Sequence, residues 1–371
     1  MNGVTYVSTD EELRQFLEFP YRHYNSSDRW IPPLMMEQKK LLNPKKNPFF
    51  NNAEMALFLA EKNGRPAGRI AAIIDHRFNE YHSSKTGFFG FYEAVESPEV
   101  TRLLFRIVTD WLKERGMTRL MGPANPGMMD EIGILVDGFE HEPCILMPWH
   151  KPFYNDLLLG AGLEKAIDLY AYEVTDKTLN RERIDRAVQI VHKRISGLQI
   201  RPVNLRKMKR ELKIIRHIYN EAWKNNWGFI PLSQEELEAL GKDLKMIVDT
   251  KYAHIAEING KPVAFSIALP DFNQVFKRMD GKLFPTGIFK LLWHKRKIDR
   301  IRTALMGVLP EHRGKGIDAL LHHRAIENGL SSGVYSSELS WILESNVEMI
   351  RVAEKIGGRR QKTYRMYQKE L

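Results

Sequence analysis

Two stretches of the chain set apolar runs on either side of an Asn-Gly turn: MALFLAEKNGRPAGRIAAIID from Met55 to Asp75, and YAHIAEINGKPVAFSIALPD from Tyr252 to Asp271. Such a pair predicts a β-hairpin, because both residues of a tight hairpin turn need positive φ and Asn-Gly supplies it cheaply. The two turns lie 196 residues apart, and GLEKAIDLYAYE from Gly162 matches GGRRQKTYRMYQ from Gly357 at a spacing of 195. Two matches at nearly one spacing predict a duplicated domain.

Both halves read in one order. An opening strand (Val4 to Ser8; Leu198 to Val203) leads into a helix rich in Leu, Ile and Tyr, then the hairpin, a third strand, a long helix, another strand, a last helix and a closing strand. This order predicts a mixed α/β (α+β) fold, a mixed sheet flanked by helices in each half. Residues 98–116, PEVTRLLFRIVTDWLKERG, space their apolar positions for a helix, with acid at the start and Gly at the stop. The expected division is 1–178, a connecting helix over 179–195 that carries neither Gly nor Pro, and 196–371.

Composition narrows the class. With 43% hydrophobic and 27% charged residues, collagen-like, coiled-coil and wholly disordered chains are excluded. The single cysteine, Cys144, removes disulfide frameworks and Cys-rich zinc sites, and no His-Glu-x-x-His pattern appears, so no metal is expected. The chain shows neither a basic-then-apolar leader nor a run long enough to span a bilayer, which predicts a cytoplasmic protein. The net charge of +10 is uneven: residues 1–175 hold 19 Lys and Arg against 24 Asp and Glu, leaving 37 against 22 for the rest. The second half is therefore expected to meet an anion. It lacks helix-turn-helix and zinc-finger patterns, so nucleic acid is not the expected partner.

The most specific string is MGVLPEHRGKGIDALL, residues 306–321: an apolar strand, a Gly-rich turn and a helix from about Ile317. Unpaired N–H groups of Arg313, Gly314, Lys315, Gly316 and Ile317 would converge on a pyrophosphate at this helix start, where the helix dipole favours negative charge. The spacing matches neither a Walker loop nor a dinucleotide fingerprint.

VLPEHRGKGIDALL resembles the acyl-CoA loop of the GNAT superfamily of N-acetyltransferases, Arg-x-x-Gly-x-Gly/Ala after the fourth strand, with Arg313 and Gly316 in place and Asp318 where a small residue is usual. SNVEMIRVAEKIGG from Ser345 resembles the superfamily's fourth-helix motif through Asn346, Lys355 and Gly357, with Ala353 where many members carry the tyrosine that protonates the departing thiolate. The resemblance implies tandem duplicated GNAT-like domains, with acyl-CoA as co-substrate on the second copy. The first copy has no glycine loop after Val95 and is expected to bind none. The whole chain, including PFF at 48–50, GPANP at 122–126 and NNWGFIPL at 225–232, resembles a bacterial family of two-lobed GNAT-like proteins that includes bacterial ceramide synthases, which transfer a fatty acyl group from CoA to a sphingoid amine.

On that resemblance, Val308, Leu309, Arg313, Gly314, Lys315, Gly316, Ile317 and Asn346 are the candidate CoA-binding residues, a backbone N–H at Val308 or Leu309 serving the oxyanion. An amine acceptor has a pKa of roughly 10 and needs a base, whether a carboxylate or a water chain leading to one. Candidates are Glu344, which would equally suit a capping role ahead of Asn346, and Asn125 and Glu131 in GPANPGMMDEIG, where Asn-Pro-Gly also reads as a plain turn. Trp223, Trp227 and Phe229 read either as packing residues or as an acceptor wall. The third strands, ending at Val95 and Val308, give the second copy 17 extra residues. Within them, residues 284–297 join Phe284, Phe289 and Trp293 to Lys295, Arg296 and Lys297, a pattern that suits an anionic membrane surface or, alternatively, a lid packed on the sheet. A long-chain acyl donor with a lipid amine reached at the inner membrane, a small soluble amine with acetyl-CoA, and a non-catalytic acyl-CoA sensor all remain open.

Overall fold

The computed structural model describes residues 3–285 and 287–371, apart from the side chains of 243–246; Thr286, inside the expected 284–297 segment, lies outside the described residues. The chain forms two compact units. Unit 1 comprises residues up to Leu169 together with Phe276–Lys290 and Lys362–Leu371, and unit 2 comprises Tyr170–Val275 and Leu291–Gln361.

Unit 1 opens with β1 (Gly3–Tyr6), α1 (Asp10–His23) and α2 (Met35–Leu41), followed by the hairpin β2 (Ala53–Lys62) and β3 (Arg65–Asp75). Asn63 and Gly64, at φ of 54° and 75°, make the expected positive-φ turn. Then come α3 (His76–His82), β4 (Thr86–Ala94), α4 (Pro98–Glu114), β5 (Arg119–Gly122), β6 (Ala124–Asn125), β7 (Glu131–Ile132), β8 (Ile134–Asp137), α5 (Tyr154–Gly160) and β9 (Glu164–Thr175). Strands β1 to β4 are antiparallel in order, whereas β4 and β5 run parallel from Thr86↔Arg119 to Phe88↔Met121. One face of α4, through Val100, Leu104, Val108 and Leu112, joins Phe58, Ile70 and Phe89 in the core. Burying each such side chain contributes about 1.5–3 kcal/mol.

Unit 2 repeats the order. It contains α6 (Arg181–Arg194), β10 (Leu198–Pro202), α7 (Met208–Trp223), α8 (Gln234–Ile247), β11 (Ala253–Ile258), β12 (Lys261–Pro270) and α9 (Asn273–Phe276). After α10 (Gly287–His294) follow β13 (Arg300–Val308), α11 (Ile317–Leu330), β14 (Ser336–Leu343), α12 (Val347–Lys355) and β15 (Arg359–Glu370). The β13–β14 pair is the parallel step of this copy. The helix expected between the repeats is α6, and its Val191 packs with Ile317, Leu320 and Leu321 in the core of unit 2.

Each unit takes a strand from the far end of the chain. In unit 1, β15 pairs antiparallel with β5 from Tyr367↔Gly122 to Glu370↔Arg119. In unit 2, the later residues of β9 lie beside β14, where Ser336 Oγ donates to Glu173 at 2.8 Å.

Candidate functional site

In unit 2, β13 pairs with β14 only from Arg300↔Ser336 to Thr303↔Leu339, yet it continues beside β12 as far as Ala264↔Val308. The two parallel strands therefore separate beyond Thr303. At that point Ile267 pairs with Leu305 and Ala268 with Thr303, which leaves Ala304 as the extra residue of a β-bulge. A bulge re-aims backbone groups, and here it does so at the mouth of an opening between strands. Ala304, Leu305 and Met306 are half-exposed there, between buried neighbours on the same strand.

Past the end of β13, Pro310–His312 forms one short 3-10 turn, and Gly314 and Gly316 take φ of 68° and 80° before α11 begins. No side chain caps α11, so its first-turn N–H groups keep their capacity for an anion. Gly316 is required twice over. Its φ disfavours any side chain, and a Cβ there would stand 2.6 Å from Val191 Cγ2. Arg313 donates to the carbonyl of Ala222, near the end of α7, as basic residues do at helix C-termini, and its N–H donates to Pro310 O at 3.3 Å, so of the expected N–H groups it is already engaged, whereas those of Gly314, Lys315, Gly316 and Ile317 face the loop.

The other candidates occupy definite places. Leu309 N–H donates to Val263 O at 2.9 Å, so it is already engaged and is not the expected oxyanion donor; Val308 and the bulge lie just upstream. Asn346 caps α12, its Oδ1 accepting from Met349 N at 3.2 Å. Glu344, between β14 and that cap, is half-buried. Trp223 donates from Nε1 to Met306 O at 2.9 Å and packs on Tyr219, which also meets the buried Phe229, so these aromatics wall the β13 side of the opening.

Asn125 and Glu131 belong to unit 1, where they pair across β6 and β7 and Asn125 Nδ2 donates to Glu131 at 3.3 Å. Asn125 Oδ1 also accepts Phe91 N–H at 2.6 Å, while a Cβ on Gly90 would lie 1.9 Å from Ala124 O. The space beyond the parallel step of unit 1 is thus filled by its own backbone and by Asn125. Only residues 95–97 join β4 to α4, against 309–316 between β13 and α11, and Pro98 opens α4.

Two buried polar clusters escaped the sequence motifs. In unit 2, Arg302 Nε donates to Ser340 Oγ at 2.9 Å, Ser340 donates to Glu338 at 2.8 Å, and the Arg302 guanidinium stacks over Trp341. All three polar residues are buried on the strands that part, and Arg302 also donates to Ser340 O at 3.1 Å. In unit 1, Glu93 accepts from Tyr24 at 2.7 Å and Tyr154 at 2.6 Å, opposite Arg69 on β3. Burial raises the Glu93 carboxyl above its usual range, with Arg69 opposing, and burial lowers His23, which meets Tyr154 at 3.0 Å, to about 4. The available signal was a lone charge within an apolar strand, as in FFGFYEAV and SSELSWIL.

An opening between parallel strands, a bulge beside it and a glycine loop leading into a helix define a CoA-dependent acyl-transfer fold, present here as two copies with one copy open. The Acetyltransferase (GNAT) family profile matches residues 212–358. Over 379 residues the chain is 36% identical to a bacterial ceramide synthase of Caulobacter vibrioides, covering 98% of this chain and 96% of the relative. Protein YghO of Escherichia coli K12 is 36% identical over 97% of this chain and 93% of its own. A tandem GNAT protein from the clavulanic acid biosynthesis pathway shares the fold at a TM-score of 0.59 and 12% identity, over 100% of this chain and 98% of that one. The chain belongs to the GNAT family of acyltransferases and is an acyl-CoA N-acyltransferase. Among the described residues, no helix is long and apolar enough to cross a membrane.

Proposed function

We propose that the enzyme transfers a long-chain fatty acyl group from CoA to the amine of a lipid, with a sphingoid base as the acceptor. The observation that carries this reading is the surface of residues 284–297. Phe284 and Phe289 stand 66% and 72% exposed, and further along the chain Leu292 and Trp293, 55% and 70% exposed, precede the exposed Lys295, Arg296 and Lys297. A lid packed on its sheet would bury these side chains, whereas an anionic bilayer offers apolar depth and negative charge together. The relative named a bacterial ceramide synthase supports the same acceptor class.

In this reading, the N–H groups of Gly314, Lys315, Gly316 and Ile317 receive the pyrophosphate while Arg313 ties the loop to α7, and the pantetheine arm enters the opening beyond Thr303. The neutral amine attacks the thioester carbon, its nitrogen loses a proton to a carboxylate, the tetrahedral oxyanion collapses to the amide as the C–S bond breaks, and the departing CoA thiolate takes up that proton by way of water. Glu344 is the proposed base, Val308 and the Ala304 bulge offer the backbone donors, and Asn346 caps the helix that begins just after Glu344. Asn125 and Glu131 act by closing unit 1.

Thiol release tests the reading across acyl-CoAs of rising chain length and amines from polyamines to sphinganine. Turnover is expected with long chains and sphinganine, dispersed in vesicles. Preference for acetyl-CoA with a small soluble amine would overturn the lipid assignment and leave an ordinary acetyltransferase.

A further inference from the structure

The 284–297 surface has a counterpart in the acidic half of the chain. Residues 31–36, Ile-Pro-Pro-Leu-Met-Met, are apolar without interruption, and none of them is buried. Met36 is 50% exposed, and α2 buries no residue at all. Four of the 19 basic residues of the first half then fall within eight positions, as Lys39, Lys40, Lys45 and Lys46. Lys39, Lys45 and Lys46 are exposed, while Lys40 lies 4.0 Å from Glu37. Bulky apolar residues followed by lysines repeat the pattern of Phe284 to Lys297.

Unit 1 brings residues 31–36 beside residues 276–290, the part of the second segment that it contains. Met35 N–H donates to Gly281 O at 2.9 Å, and Tyr21 OH donates to Pro33 O at 2.6 Å. Gly281, at φ 72°, allows that approach, since a Cβ would stand 2.4 Å from Tyr21 and 2.9 Å from Pro33 O. Met279 is buried below, and Lys277 pairs with Glu142 at 3.0 Å. The base of the 276–290 segment is thus fixed against the start of α2, and Phe284 and Phe289 project from it into solvent.

We propose that residues 31–46 and the part of the second segment that belongs to unit 1, Phe284, Pro285 and 287–290, form one docking face for an anionic phospholipid bilayer, with Met36, Phe284 and Phe289 entering the interface and Lys39, Lys45 and Lys46 meeting phosphate headgroups. This rests on the lipid reading above and extends it to a second segment. Charge selects the occupant: a neutral apolar partner gives no reason for lysines to gather here, in a half that is otherwise net acidic.

Flotation with vesicles of phosphatidylethanolamine, with and without phosphatidylglycerol, tests the face. The wild-type protein is expected to float only with phosphatidylglycerol, and less as salt rises. Lys39→Glu, Lys45→Glu and Lys46→Glu together should weaken vesicle binding by about a hundredfold, at roughly fivefold per lost cation. Met36→Asp and Phe289→Glu should each weaken it as well, while CoA binding by calorimetry stays unchanged and shows the chain folded. Loss of binding in Phe289→Glu with full binding by the lysine triple variant would overturn the second segment and leave the lipid reading standing. No wild-type binding to any vesicle would overturn the whole face and point instead to an acidic protein. Vesicle binding that survives alongside failure to acylate sphinganine would keep the face and reject only the acceptor.

Discussion

Units 1 and 2 share an antiparallel run, a parallel step and a helix after the third strand, but they treat the space beyond that step in opposite ways. In unit 2 the strands separate at a bulge, and a glycine loop at positive φ leads into an uncapped helix. In unit 1, Ala124 and Asn125 occupy the corresponding space, and three residues, 95–97, replace the loop ahead of Pro98. A duplicated fold can thus keep its core while a few backbone positions decide whether the space beyond the parallel step stands open or filled, because the scaffold tolerates either arrangement.

The largest expected effect breaks the open copy. Gly316→Trp places a bulky side chain at φ 80°, where even a Cβ meets Val191 at 2.6 Å, and it blocks the approach of phosphate to the first turn of α11. CoA affinity by calorimetry should fall at least about a hundredfold, near 2.7 kcal/mol. Wild-type protein should titrate with one CoA per chain. A second equivalent would mean that unit 1 opens, and unchanged affinity in the variant would move the site elsewhere.

The next prediction separates the units by pH. His150 in unit 1 is buried, accepts Leu135 N–H at 3.1 Å on Nδ1, and is lowered by burial to about 3. Its folded value lies below the unfolded 6.5, so the unfolded chain takes the proton first as pH falls. The stability it contributes is complete above pH 6.5 and is lost toward 3, at about 1.4 kcal/mol per pH unit. Urea unfolding of His150→Asn, which keeps an acceptor for Leu135, should show a slope shallower by that amount between about pH 6 and 4.5. An unchanged slope would place the acid sensitivity in other groups, such as His254 in unit 2, which burial lowers to about 4.

The sequence revealed the elements better than their company. Asn63-Gly64 and Asn259-Gly260 announced both hairpins because tight turns constrain φ locally, and the Arg313–Ile317 loop was legible for the same reason. The filling of unit 1 was not, since Asn125 reaches Phe91 across 34 positions and Asn-Pro-Gly by itself says only turn. Nor did the strings show that Leu309 N–H is engaged by Val263, or that residues 31–36 meet Gly281, because both are long-range backbone pairings without side-chain signatures.

Removing the filling itself should cost less than the pH step at its fullest. Asn125→Ala strips the acceptor from Phe91 N–H, and leaving that buried group unpaired costs about 1–3 kcal/mol in denaturant unfolding. Asn125→Asp retains an acceptor and should recover part of that loss. A neutral effect of Asn125→Ala would show that the space in unit 1 is closed by Ala124 alone.

The smallest expected effect concerns unit 2 at Asn346, where a capping role and a CoA contact make different demands. Its Oδ1 accepts Met349 N–H at the start of α12, and loss of such a cap costs about 1 kcal/mol. Asn346→Ala should therefore lower stability by that amount, and Asn346→Asp should restore it, because Asp caps well and its charge suits the positive end of the helix. Neither change should alter the affinity for CoA if the side chain only caps. With Glu344 two residues upstream, fraying of α12 should instead lower kcat for Asn346→Ala and spare KM for the acyl donor, and Asn346→Asp should recover the rate along with the stability. A rise in KM for acyl-CoA that Asn346→Asp fails to reverse would show that the amide itself touches the cofactor, and the open copy would then hold CoA from both α11 and α12.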